Sequence, residues 1–259
     1  MMNLVARIGR AVLNFFGEFG QVSILLFNVF KYIPRIIKDR NLLLEQMGII
    51  GADSLPLVLL IGAFTGAIAA LQATLLFSKF NLIEITRPYL GAAIATAVYT
   101  ELTPVLTALV IAGRVGGAMA AQIGTMNVSE QIDALEMMAI DKNRFLAMPR
   151  VFSALLMMPV LAVFSNVIAL VGAYILVSIK FAFTSFEYFD SIQHYFQMKE
   201  IYICLSKSFL FGGVTALVGC HVGFATTGGA EGVGNSTVRA FTISAATILI
   251  LDALFGYIV

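Results

Sequence analysis

The chain has 259 residues, 59% hydrophobic and 12% charged, with a formal net charge of +1 and a mean hydropathy of +0.93. Soluble domains carry about 25% charged residues, so the composition excludes an ordinary globular enzyme, a disordered chain and a nucleic-acid binder with a basic face. A membrane protein remains, and the placement of the few charges divides it into elements.

Residues 1–52 hold no span. Leu4, Val5, Ile8, Val12, Phe15, Phe16 and Phe19 recur at helical spacing with Arg7, Arg10 and Glu18 between them. That pattern predicts an amphipathic helix, lying in the membrane interface or packed on the protein's own bundle. No compact apolar core precedes a small-residue cleavage site, which argues against a signal peptide. Pro34 breaks the pattern before a second amphipathic piece ending near Gly51. The segment reads as an interfacial elbow, and 53–259 as a single five-span domain.

A charge-free run from Ser54 to Ser78 is long enough to cross ~30 Å of hydrocarbon. The second apolar stretch, Tyr89 to about Thr125, is interrupted by Glu101 and Arg114; the third, Val151–Ile179, is free of charge. The fourth, Ile201–Ala225, holds Lys207 and His221, and the last, Val238–Val259, holds Asp252. The expected fold is therefore all-α and integral to the membrane, with five transmembrane helices after an N-terminal amphipathic helix. No internal repeat is visible. With the N-terminus cytoplasmic, Arg7, Arg10, Lys31, Arg35, Lys38, Arg40, Lys142, Arg144, Arg150 and Arg239 lie inside, against Lys79, Arg87, Lys180 and Lys199 outside. That bias follows the positive-inside tendency and leaves the C-terminus on the outer side.

Polar groups within spans are costly and usually face a partner or a cavity. Glu101 lies about 18 Å into the second span, and Pro104 after it removes a backbone bond and bends the helix. The carboxyl either lines a cavity or pairs with a second protomer. Lys207 and Asp252 each lie about 10 Å below the outer ends of antiparallel spans, so they form an ion pair or both snorkel outward. Arg114 is expected at the cytoplasmic interface as an anchor, and His221 as a packed or hydrogen-bonded side chain. Cys204 and Cys220 fall about 24 Å apart on one helix and read as buried small hydrophobes; with two histidines so placed, no zinc site is expected.

Between spans two and three stands GTMNVSEQIDALEMMAIDKNRFLAMPR. Ser129 is expected to cap a helix with Glu130 and Asp133 in its first turn. Ile132, Leu135, Met138 and Ala139 would form one apolar face, and Pro149 would end the segment. Exposed acids and methionines suit a docking element; a helix lying on the bilayer is the alternative. The pairs Gly62/Gly66, Gly113/Gly117 and Gly219/Gly223 allow close helix approach. TTGGAEGVGNST reads as a flexible or re-entrant turn, with a phosphate cradle only weakly suggested in the absence of a lysine.

The run TELTPVLTALVIAGRVGGAMAAQIGTMNVSEQIDALEMMAID resembles the signature of the MlaE/YrbE permeases of lipid-transporting ABC systems. Their Glu–X–Gly–Pro, Ala–Gly–Arg–X–Gly and Glu–Gln–X–X–Ala–Leu–X–X–Met elements match Glu101–Pro104, Ala112–Gly116 and Glu130–Met138. GGAEGVGNSTVRAF is similar to the family's glycine-rich segment before the last span. Thr103 stands where glycine is usual, and Tyr99–Thr100 replaces Leu–Arg.

The resemblance implies a permease that moves phospholipid between the inner membrane and a periplasmic MCE-domain carrier, working as two copies. Glu130, Gln131, Asp133, Ala134, Leu135, Met137 and Met138 would form the cytoplasmic coupling helix seated in an ABC ATPase, sometimes accompanied by a STAS-domain protein. No Gly–X4–Gly–Lys–Ser/Thr element is present, so no cofactor is expected on this chain, and ATP would be bound by the partner ATPase. By helix position and similarity, Leu71, Leu75, Leu76, Phe80, Tyr99 and Glu101 would line the lipid cavity, with Pro104, Arg114, Lys207 and Asp252 as intramembrane structural residues. A secondary transporter and a membrane-embedded lipid-modifying enzyme are the rivals. The first lacks the inverted repeats such folds carry, and the second lacks a nucleophile, base or metal constellation.

Overall fold

In lipid, every backbone N–H and C=O must be satisfied within the chain, so each apolar segment becomes a helix. The computed structural model describes residues 2–36, 38–80, 82–181 and 183–258 and contains helices and turns but no strand among them. Five stretches are long and apolar enough to cross a membrane: Arg40–Lys79, Arg87–Val128, Asn143–Phe181, Met198–Phe224 and Gly229–Tyr257.

Helix α1 (Met2–Lys31) ends before a 3-10 turn at Ile33–Arg35 that contains Pro34, and α2 (Arg40–Ile50) follows. The side chains of Leu4, Val5, Ile8, Val12, Phe15, Phe16 and Phe19 lie outside the described residues. Further along α1, Leu25 and Val29 are buried in the bundle core, while Ile24 and Phe27 stay exposed. The last turns of α1 therefore pack on the protein itself. After a bend at Ala52–Ser54, α3 (Leu55–Lys79) forms the first span.

Beyond the short α4 (Ile83–Thr86), the second span consists of α5 (Leu90–Ala97), α6 (Thr103–Ile111) and α7 (Gly117–Val128). π-helical turns at Val98–Leu102 and Ala112–Gly116 join them. Helix α8 (Gln131–Met137) leads to a third π turn, Asn143–Ala147, and then to α9 (Met148–Phe181). Each π turn holds one charged residue: Glu101, Arg114 or Arg144. Such wide turns are frequent at functional positions.

Helix α10 (Ser185–Tyr195) packs on α5, where the Ser191 hydroxyl accepts the Ala92 N–H at 3.1 Å. Helices α11 (Met198–Phe224) and α12 (Gly229–Ile258) complete the bundle. Helix α9 sits between α3 and α11, and α11 in turn meets α7 and α12. The fourth span is 56% buried over its apolar window and the fifth only 17%, so α12 is the peripheral wall.

The closest seam is α3 on α9. A Cβ on Gly66 would stand 1.8 Å from the Ala169 carbonyl oxygen, so only glycine permits that approach. Gly219 and Gly223 likewise meet the second span, at Gly116 of its second π turn and Ile123 of α7.

Three local expectations are corrected. Ser129 does not cap α8: its hydroxyl donates back to the Thr125 carbonyl at 2.7 Å, while Glu130, at φ 58°, takes the N-cap position. Pro149 does not end the loop but sits in the first turn of α9, where a missing N–H costs nothing. Most of the glycine-rich run is not the flexible or re-entrant turn expected but helix. Gly228 (φ 91°) and Gly229 (φ 69°) make the reversal, and α12 starts at Gly229, ahead of the expected Val238.

Candidate functional site: an intramembrane charge cluster and an exposed loop helix

Lys207 on α11 is 1% exposed and uses all three ammonium hydrogens. Its Nζ donates to Asp252 Oδ1 at 2.8 Å, to Glu101 Oε1 at 3.0 Å and to the Thr100 carbonyl at 2.9 Å. Pro104 explains the third contact. In an α-helix the Thr100 carbonyl would accept the N–H of residue 104, but proline has none. The freed oxygen becomes a ligand for Lys207.

The ion pair between Lys207 and Asp252 is thus present, with neither alternative of outward snorkelling adopted by Lys207. Glu101 bonds within its own chain, and its side chain remains 51% exposed. One cation against two carboxylates leaves the cluster formally negative, with Glu101 on its open side. Residue contact with Lys207 was not foreseeable for Glu101 from spacing within one helix, although the offset of four between Thr100 and Pro104 was a readable signal. Nearby, Asn166 Nδ2 donates to Cys204 Sγ at 3.2 Å, and both cysteines are buried free thiols on α11.

The expected lining residues fall into two places. Leu71 is half-buried, and Leu75, Leu76 and Phe80 expose apolar surface at the end of the first span. Tyr99 shares the first π turn with Glu101 and is half-buried, its ring edge-on to Phe196 at 4.9 Å. Helix α3 touches both α5 and that π turn, so the two groups belong to adjoining walls.

On α8, Ile132 is buried and Leu135 half-buried, whereas Met137 is 89% and Met138 62% exposed. Gln131, Asp133, Ala134 and Glu136 are exposed with Glu130. The expected apolar face is therefore narrower: Ala139 has left the helix at φ 58°, and Met138 faces outward. The loop after α8 is tied to the elbow. Tyr32 donates to Asp141 Oδ2 at 2.7 Å, and Arg144 makes a two-pronged ion pair with Asp39, both contacts at 2.9 Å. Burial pushes the Asp141 carboxyl up, but Tyr32, the backbone N–H groups of Asn143 and Arg144, and the Lys142 charge together hold it below its ordinary value of 3.8.

Arg114 donates to the Ser54 hydroxyl, linking the second span to the start of the first. His221 is half-buried beside Glu18 and Arg239, which form an ion pair. Among the described residues no group of three His, Cys, Asp or Glu could hold a metal ion. Sequence reasoning missed α10, whose Thr184–Glu187 capping box is a readable start signal, and it missed the loop-to-elbow ties, which join residues more than a hundred apart.

Comparison with known proteins gives consistent matches. The family described as Permease MlaE matches residues 43–258. A probable ABC transporter permease protein of Synechocystis is 36% identical over 230 residues, covering 89% of this chain and 86% of the relative. One of the same description from Rickettsia felis is 33% identical over 254 residues, covering 98% and 96%. An intermembrane phospholipid transport system permease protein MlaE of Haemophilus influenzae is 30% identical over 253 residues, covering 97% and 95%.

Proposed function

We propose a function from the fact that this chain belongs to the MlaE permease family and is a permease of an ABC system: it moves phospholipid between the inner membrane and a periplasmic MCE-domain carrier. Family membership sets aside the secondary-transporter and lipid-modifying-enzyme readings. The phospholipid reading draws on the printed name of the Haemophilus relative and on the site itself. The single observation that carries it is the Lys207–Glu101–Asp252 cluster, with Glu101 half-exposed on the π turn that packs against α3, the apolar helix whose outer end carries Leu75, Leu76 and Phe80. A polar point beside a greasy wall suits an amphiphile.

Two copies of the chain enclose the cavity, lined by the first span and the outer half of the second. ATP is bound and hydrolysed by a separate ABC ATPase, which seats α8 through Met137, Met138 and the surrounding acids; a STAS-domain protein accompanies that subunit. The N-terminus is cytoplasmic and the C-terminus periplasmic, so α8 and the cavity lie at opposite ends of the bundle. Closure of the ATPase pushes α8, and the Arg144–Asp39 and Tyr32–Asp141 ties carry the push to the elbow and to α9. Lipid transfer requires no covalent step on this chain: each methylene moved between water and an apolar wall changes the free energy by about 0.8 kcal/mol.

Affinity purification of the chain in mild detergent, with mass spectrometry of bound proteins and lipids, tests this. The expected result is an ABC ATPase, an MCE-domain protein and phospholipid. Recovery of the ATPase with a non-lipid solute would contradict the substrate, and recovery of no ATPase would contradict the assembly.

A further inference from the structure

Between α2 and the second span lies a slot of about 240 Å³, bordered by Gln46, Ile49, Arg114, Val115, Met119 and Gln122. Two of its features are left unexplained by transport at the Glu101 end. Arg114 has five N–H donors and, among the described residues, one acceptor, the Ser54 hydroxyl, and no carboxylate. Behind the slot, Arg150 is only 8% exposed. It donates to the Leu146 carbonyl at 2.8 Å and to Gln122 Oε1 at 3.4 Å, leaving Nε without a partner. It too has no carboxylate within ion-pair distance among the described residues.

Arg150, buried without a counter-ion, is costly in a membrane bundle, and Arg114, exposed at the slot, leaves most of its donors open to an anion there. Gln122 joins them: with Oε1 accepting from Arg150, its amide N–H groups are left to donate into the slot. The planar donor fork of arginine matches phosphate oxygens. Arg114 lies 27 residues after Arg87, about 40 Å along the helix, past ~30 Å of hydrocarbon and level with a headgroup layer. The walls beside it, Ile49, Val115 and Met119, are apolar.

We propose that this slot binds the phosphate of a membrane lipid from the leaflet on the α8 side, with Arg114 as the main cation and Gln122, braced by Arg150, as the second donor. The apolar walls take the glycerol and upper acyl chains. Since Arg114 stands 13 residues from Glu101, about 20 Å, this is a resident lipid and not the transported one. It ties the elbow helix α2 to α7, which leads directly into α8.

The test uses the full chain in neutral detergent, with native mass spectrometry for lipids retained and thermal unfolding for protection. The probes are phosphatidylglycerol, diacylglycerol with the same chains, and inorganic phosphate. Phosphatidylglycerol is expected to bind and protect, diacylglycerol and inorganic phosphate not. Arg114→Gln should weaken that binding about tenfold, Gln122→Leu should weaken it less, and Arg114→Lys should recover part of it. Arg239→Gln, an exposed cation outside the slot, should change nothing. Equal phosphatidylglycerol binding by the wild-type and Arg114→Gln chains would overturn the site. Protection by inorganic phosphate alone would overturn the lipid assignment in favour of a free anion, and equal binding of diacylglycerol would overturn phosphate recognition.

Discussion

Lys207 is the residue on which the interior polarity turns. It is almost fully buried and holds two carboxylates and one carbonyl, so removing it strands two negative groups, whereas removing either acid leaves the cation a partner. Breaking a buried pair typically costs about 3–5 kcal/mol. Lys207→Met is therefore expected to lower the thermal midpoint of the purified chain more than Asp252→Asn or Glu101→Gln; equal shifts in all three would contradict the three-way arrangement. Charge exchange sharpens the test. Lys207→Asp with Asp252→Lys restores the ion pair but places an acid against Glu101, so full recovery of folding should need Glu101→Gln as a third change. A second residue-scale prediction concerns Asp141, whose carboxyl lies below 3.8 in the folded chain. A lowered pKa contributes stability at pH above the ordinary value, lost as pH falls through the folded value. Hydrogen exchange of the loop after α8 should therefore rise below about pH 4, and Tyr32→Phe should move that rise to higher pH. A pH-independent loop would refute the tie.

At the scale of elements, the seam between α3 and α9 is set by backbone contact. A methyl at Gly66 meets the Ala169 carbonyl at 1.8 Å, so Gly66→Ala must part the helices. Overpacking of this kind costs about 1–3 kcal/mol, and a corresponding drop in midpoint or in folded yield is expected; an unchanged midpoint would mean the seam is looser than described. The five spans were legible because their charge-free runs are long and lipid tolerates little else. The Lys207–Asp252 contact was legible from matching depths on antiparallel neighbours. The part played by Glu101 was not, because it depends on three helices meeting and on a carbonyl released by Pro104. The start of α12 was misread because glycines at 228, 229, 232 and 234 suggest a turn, and only two of them make it. The cap of α8 was misread because Ser129 can serve the end of α7 equally well, and local pattern does not decide between them.

For the whole molecule, the scarcity of charge now has a distribution. Within the spans Lys207, Glu101 and Asp252 form one cluster and Arg114 lines a separate slot, while the loop after α8 is tied to the elbow through Tyr32–Asp141 and Arg144–Asp39. The bundle leaves α12 barely covered and Met137 fully presented, and the chain belongs to the permeases of ABC systems. Disturbing α8 should uncouple the machine without unfolding it: Met137→Asp is expected to leave the thermal midpoint of the chain unchanged, since that side chain is 89% exposed, and to weaken ATPase association. The most direct measurement is phospholipid transfer between proteoliposomes containing the assembled permease and ATPase and a soluble MCE-domain carrier, followed with labelled lipid. ATP-dependent transfer that falls about tenfold or more in Met137→Asp, with the chain still folded, is the predicted result. Transfer at the same rate without the ATPase, or movement of a solute by the chain alone under an ion gradient, would contradict it.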